Sequence, residues 1–437
     1  MGRQFVLAAT GEEIVLSGPN VIVKGPPYVP SVDGDDACHE IIDDACTLHG
    51  NCTSCTTFTA ADIEHIQAQG MNAIRLGVIW AGAQPRDEDA LDAGFLQRLH
   101  ALLSLCDHYG LHVLLDNHGD MVGAAGCGNG VPMWIQRRAA GELIGKPLRS
   151  QFPYFLFSCS LQVSAINGYA RCGANEDEWA AHAGDERYAI LNECCTSLNY
   201  YNPAGLGFKT ISQRTLDYVL GVRGRGEADG ELTPAGYRSG RAAFVRFWRL
   251  MAQAVADHPS AVGCELMNEP LSFRRQAMFE TWREAAEAIH AVIPDMAVGL
   301  ADFGTGPGPL ALPAWTLRAA GVGWGLSSEI RQWIHGADYL FYAWHEHGSA
   351  AANLASVSVV SEQWRVPLFG TELYSCEAWN ASSLSGVSRA YWLYASYCDT
   401  AAEFTASRVA RGNDTFGACV LGWGGQYPSK RASTFDP

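Results

Sequence analysis

The chain has 437 residues, 48% of them apolar, and a formal net charge of −16 from 46 acidic and 30 basic side chains. A chain of this length buries a large core, and α/β barrels commonly run this long as one domain. The acidic balance speaks against nucleic acid and anionic membrane surfaces as partners, and no run approaches the roughly 18 apolar residues of a membrane span.

Phe5–Leu7 and Ile14–Leu16 flank Thr10-Gly11-Glu12, the mark of a hairpin, and Asn20–Lys24 reads as a first buried strand. Thr59 to Gln69 reads as a helix that opens on a Thr-x-x-Asp cap and stops at Gly70. Strands follow at Ala73–Leu76 and His112–Asp116, around a helix over Leu91–Tyr109 with Phe95, Leu99, Leu102, Leu103 and Cys106 at helical spacing. After an insertion at about residues 121–239, helices are expected over Arg241–Asp257, Ser272–Val292, Ala351–Gln363 and Ser385–Arg411. Strands are expected at Gly263–Met267, Ala297–Ala301, Tyr339–Ala343, Pro367–Gly370 and Ala418–Gly422. Eight strands alternating with helices predict a single-domain (β/α)8 TIM barrel over residues 1–437, with the insertion between strands 3 and 4 lying over the active-site face. A doubly wound sheet is the alternative.

The chain has 14 cysteines, most of them between Cys38 and Cys195. This is high for a cytosolic enzyme, and with the sequons at Asn51, Asn380 and Asn413 it points to a secreted or lumenal protein whose leader is not part of this sequence. Cys38, Cys46, Cys52 and Cys55 contain the Cys-x-x-Cys spacing of a zinc site. They lack a second such pair, so disulfides are the expectation, and no metal or cofactor is expected. The insertion, with Cys127, Cys159, Cys172 and the vicinal Cys194-Cys195, reads as disulfide-rich. Its run Phe152–Phe157 reads as the small core of that insertion, or else as an apolar wall for a lipid aglycone.

Residues at the carboxyl ends of barrel strands share one pocket. Here they are Arg75, Asp116, His118, Asp120, Asn268, Glu269, His345, Glu372 and Trp423. Charged, amide and imidazole groups are costly to place at a barrel mouth without a role. Two carboxylates over one pocket are the minimal equipment for cleaving a glycosidic bond with retention. Glu269 suits the general acid/base, kept protonated by a neighbouring ionised carboxylate, and Glu372 suits the nucleophile. Arg75 is a counter-charge for Glu372, Asn268 a donor to the sugar 2-hydroxyl, and Trp423 a platform for a pyranose ring, while Asp116 supports the site through hydrogen bonds.

With these residues the chain resembles glycoside hydrolase family 5, the cellulase-like barrels, and within it the endoglycoceramidase-related branch. The resemblance runs from about Asn20 to Trp423 and leaves out the insertion. Asn268-Glu269-Pro270 matches the family's acid/base motif, and Glu372 sits where its nucleophile sits. Ile74-Arg-Leu-Gly-Val-Ile-Trp80-Ala-Gly82-Ala-Gln-Pro85 is similar to the branch's second-strand signature, and Leu115-Asp116-Asn-His118-Gly-Asp120 to its third, with Gly119 for the usual glutamine. His345 falls where the family has a histidine, and His347 replaces the tyrosine two residues on that orients the nucleophile; Tyr342 and Tyr374 are substitutes to consider. The resemblance implies a glycolipid substrate, a glycosylceramide or steryl glucoside, with no nucleic acid, integral membrane segment or obligate protein partner. The competing readings are an endo-β-glucanase or β-mannanase and a carbohydrate-binding barrel without catalysis.

Overall fold

A computed structural model describes residues 4–23, 28–33, 39–40, 53–54, 58–119, 122–123, 130–141, 211–222, 234–270, 272, 274–301, 314–345, 350–373 and 386–391. Eight parallel strands close into a barrel. They are β1 (Ser17–Val21), β2 (Ala73–Gly77), β3 (His112–Asp116), β4 (Ala261–Glu265), β5 (Ala297–Leu300), β6 (Leu340–His345), β7 (Leu368–Leu373) and β8 (Ser388–Tyr391). Neighbours in chain order are neighbours in the ring, and β8 closes it by pairing Arg389 with Ser17 and Tyr391 with Pro19.

Local chemistry sets several helix ends. Thr59 and Asp62 form a capping box at the start of the helix Ala60–Ala68. Asp92 accepts from Phe95 N at the start of Ala93–Tyr109, and Gly110, at φ +65°, ends that helix in the left-handed region. The helices Arg275–His290 and Ala350–Trp364 also lie where apolar spacing predicts them. Ala314–Ala320 and Ser328–Gly336 were not expected.

Two strand expectations are corrected. The first strand runs over Ser17–Val21 rather than from Asn20, because Asn72 reaches across: its side chain accepts from Ser17 N at 2.9 Å, and its backbone N–H donates to Ser17 O at 2.9 Å. Tertiary pairing thus overrides the turn-like Ser-Gly-Pro sequence. The eighth place in the ring, expected for Ala418–Gly422, is filled by Ser388–Tyr391, within a segment expected to be helical. The open edges of β7 and β1 supply backbone partners there: Arg389 N donates to Leu16 O at 2.8 Å, and Leu16 N to Ser388 Oγ at 2.9 Å. Residues 418–422 lie outside the described residues.

Inside the barrel, Leu16, Ala73, Leu114, Phe341, Phe369 and Ala390 form one apolar cluster. The amino-terminal hairpin, Phe5–Val6 against Glu13–Ile14, packs Phe5 onto Phe341 and Phe369 at ring distances of 5.4 and 6.1 Å, plugging that end. The larger core lies between strands and helices. In it Trp80 stacks on Phe247 at 5.3 Å and meets Phe244 and Trp134 edge-on. Trp134 belongs to the helix Met133–Ala140, which together with Ile211–Val219 and the amino-terminal part of Pro234–Val255 lies in the insertion. Its cysteines and Phe152–Phe157, and with them the expected disulfides, lie outside the described residues. Cys106 and Cys264 are buried, free thiols whose ionisation burial disfavours.

Candidate active site

Strand alternation dictates which side chains enter the barrel. On β2, Ile74 and Leu76 pack outward against helices while Ala73 joins the interior cluster, so Arg75 points inward. The same period brings Asp116 inward after Leu114 on β3, and His345 inward after Phe341 and Ala343 on β6. Strict alternation on β7 would give the interior Phe369, Thr371 and Leu373. Instead the register shifts between β6 and β7, so that His345 pairs with Glu372 and Leu373 turns out to the helix core. This irregularity aims the Glu372 carboxylate into the barrel.

Arg75 is the hub and is completely buried. It donates from Nε to Glu265 Oε2 at 2.9 Å, from Nη1 to Asn20 Oδ1 at 2.8 Å and Glu372 Oε1 at 2.9 Å, and from Nη2 to Asn268 Oδ1 at 2.9 Å. Asp116 Oδ2 stands 3.1 Å from Nη2 and also meets His118 Nδ1 at 2.8 Å. Burial works against the guanidinium charge, but Asp116, Glu265 and Glu372 together outweigh it and hold Arg75 protonated more firmly than in water. Burial pushes the Glu265 carboxyl up, Arg75 pulls it down, and Asp116 raises it again; the net direction is upward.

His345 links the two glutamates singled out in the sequence. Its Nδ1 lies 2.9 Å from Glu269 Oε1 and 3.4 Å from Glu372 Oε2, and its Nε2 lies 3.9 Å from Glu265 Oε1. Burial favours the neutral ring, yet Glu372, then Glu269 and Glu265, raise its pKa above the usual histidine range. One oxygen of Glu269, one of Glu372 and a nitrogen of His345 all fall within 4.8 Å of one another.

Glu269 follows Asn268 at the turn after β4 and adopts φ +40°, a left-handed conformation that costs a non-glycine residue on the order of 1–3 kcal/mol. Asn117 O accepts from Asn268 N at 3.1 Å, and Gly119 O accepts from the Asn268 side chain at 3.4 Å. A small solvent-open pocket lies over this turn, lined by Asn117, His118, Gly119, Val122, Gly130, Val131, Met267, Asn268, Glu269 and Pro270.

Seven sequence candidates therefore come together: Arg75, Asp116, His118, Asn268, Glu269, His345 and Glu372. Asp120 and Trp423 lie outside the described residues, as do His347 and Tyr374. Tyr342 faces the outer core edge-on to Trp364, so it is no substitute for the tyrosine that His347 replaces. Sequence reasoning passed over Glu265 and Asn20. The signal was present, since each is a polar residue on the inward phase of a buried strand.

A family profile described as "Cellulase (glycosyl hydrolase family 5)" matches residues 39–142. The endoglycoceramidase of Cyanea nozakii is 26% identical over 269 residues, covering 62% of this chain and 41% of the relative. That of Hydra vulgaris is 24% identical over 260 residues, covering 60% and 38%. The chain thus spans about two fifths of the length of these curated relatives. Among solved structures, the lactosyl-enzyme intermediate of endo-glycoceramidase II from Rhodococcus sp. superposes with a TM-score of 0.54 at 17% identity, covering 89% of this chain and 75% of that one. At that identity the likeness speaks for the barrel alone. Over residues 39–142 the chain is similar to the family 5 glycoside hydrolases. Over a longer stretch it is similar to the two endoglycoceramidases.

Proposed function

We propose that this chain is a retaining β-glycoside hydrolase acting on a glycolipid, with Glu372 as nucleophile and Glu269 as general acid/base. The observation that carries the reading is the approach of the two carboxylates within 4.8 Å, bridged by His345. Retaining enzymes place the pair about 5–5.5 Å apart, and inverting ones wider to admit a water. Glu372 attacks the anomeric carbon, its carboxylate oriented by Arg75, which donates to Oε1 at 2.9 Å. Glu269 protonates the departing oxygen, then takes a proton from the water that releases the sugar. Asn268, held by Arg75, faces the pocket and binds the 2-hydroxyl; His118 lines the same wall, and Asp120 and Trp423 complete the sugar contacts.

The glycolipid preference comes from the relatives, two of which bear the name endoglycoceramidase, and from the solved Rhodococcus enzyme whose complex is with ganglioside GM3. The proposal includes a single catalytic domain carrying the insertion above its pocket, and a secreted or lumenal location. No helix among the described residues is long and apolar enough to cross a membrane. Release of sugar from glucosylceramide, lactosylceramide, a steryl glucoside, β-glucan and β-mannan tests the reading, with Glu372→Gln as the blank. We expect turnover on a glycosylceramide, and at least a thousandfold (~10³) loss in the variant, as for other enzymes lacking their nucleophile. Turnover confined to the polysaccharides removes the lipid assignment, and sugar binding without turnover removes the hydrolase.

A further inference from the structure

Glu265 has no part in the reaction just described, does not line the pocket, and is completely buried. We propose that it is a positioning residue, a buried carboxyl group that holds Arg75 in place and, when ionised, favours a charged His345 ring that donates toward Glu269 and Glu372. The catalytic side of this inference rests on the hydrolase reading; the geometry does not.

Two carboxyl groups, Glu265 and Glu372, each face both Arg75 and His345. They stand 2.9 Å apiece from Arg75, and 3.9 and 3.4 Å from His345. The difference between them is chemical. Once Glu372 is esterified to the sugar its charge is gone, and Arg75 and His345 lose one partner at the moment when Glu269 must change from acid to base. Glu265 is spent in no step, so its carboxyl group stays beside Arg75 and His345 when Glu372 is esterified. Its second oxygen, Oε1, is buried, accepts no hydrogen bond, and is the one nearest His345 Nε2. A buried carboxylate oxygen without a hydrogen-bond donor is costly, and a charged imidazole ring is the compensation the site offers.

The groups facing this pair come from several strands. Arg75 on β2, Asp116 on β3 and His345 on β6 surround Glu265, while Glu269 after β4 and Glu372 on β7 surround His345. Burial and Asp116 favour a neutral Glu265, and Arg75 and His345 favour the charged form. The proposal requires the charged form whenever His345 is charged.

Glu265→Gln in the full chain separates the possibilities. Glutamine keeps an oxygen for Arg75 Nε and removes the charge. NMR titration of the His345 ring is expected to show proton affinity reduced about tenfold, one pH unit, with the alkaline limb of kcat/KM moving to lower pH in step. Glu265→Asp, which keeps the carboxyl group but draws it back from His345, is expected to lie between wild type and glutamine; if the glutamine protein does not fold, a His345 proton affinity lowered by less than about tenfold in the aspartate protein supports the proposal and an unmoved one overturns it. An unmoved His345 titration overturns the proposal, as does a uniform loss of rate without displacement of the limb. If the wild type cleaves no glycoside, the hydrolase reading fails, yet the His345 titration still decides this one.

Discussion

Two clusters set carboxylates against arginines, one at the barrel mouth and one on the surface. At the mouth, Arg75 meets Asp116, Glu265 and Glu372, all essentially buried. On the surface, Asp87 meets Arg138 and Arg246 at 2.6 and 2.5 Å, with the arginine side chains 48% and 28% exposed. The contact lengths are similar, and the shorter ones are outside. What differs is the medium. Water and salt screen the Asp87 pairs, which are worth about 0.2–1 kcal/mol each, whereas each buried group depends on its partners to offset desolvation. The surface cluster clips the insertion helix Met133–Ala140 to Pro234–Val255. The buried one determines which groups carry protons.

The largest test of this difference is Arg75→Met, which leaves three buried carboxylates without their cation. Breaking a buried pair from one side costs about 3–5 kcal/mol, so thermal or denaturant unfolding is expected to show a loss of that size. A loss below about 1 kcal/mol would mean that the mouth behaves as a surface.

The pH response comes next, and the two clusters have opposite signs. His345 has a folded pKa above its ordinary 6.5, so its contribution is full below 6.5 and disappears as pH rises through the folded value. Asp87, whose carboxyl is held below its ordinary 3.8 by the two arginines against a burial effect that raises it, contributes fully above 3.8 and loses that contribution as pH falls. The stability difference between wild type and His345→Gln is therefore expected to shrink toward alkaline pH. That between wild type and Asp87→Asn shrinks toward acid. Unfolding curves across both ranges check the pair of slopes, and parallel slopes would dissolve the distinction.

The smallest effect is Asp87→Asn itself near neutral pH. A cost of at most about 1 kcal/mol is expected, diminishing further in 1 M salt where the Debye length falls to about 3 Å. A salt-independent loss would move this cluster into the class of the buried one.

The barrel was legible because its helices carry local signals: the Thr59–Asp62 box, the Asp92 cap and Gly110 need only a few neighbouring residues to be read. The two glutamates were legible for a similar reason, each ending an apolar strand. Strand limits that depend on distant partners were not. Nothing local in Ser17-Gly18-Pro19 announces a strand, since Asn72 creates it, and Ser388–Tyr391 becomes one only between two waiting edges. Glu265 escaped notice because its neighbour Glu269 stood in a recognisable motif. Its own meaning comes from Arg75, a partner 190 positions away in the chain.

Asn20 reaches further than its place on β1 suggests. Its amide donates to Thr371 O at 2.9 Å and Tyr391 O at 3.0 Å, on β7 and β8, while its oxygen receives Arg75. One side chain thus joins the seam where the ring is sewn shut to the guanidinium that positions Glu372. During synthesis, the first strand emerges with this amide unengaged, and its partners arrive only hundreds of peptide bonds later. The position of Glu372 is thereby tied, through Arg75 and Asn20, to the closing of the ring.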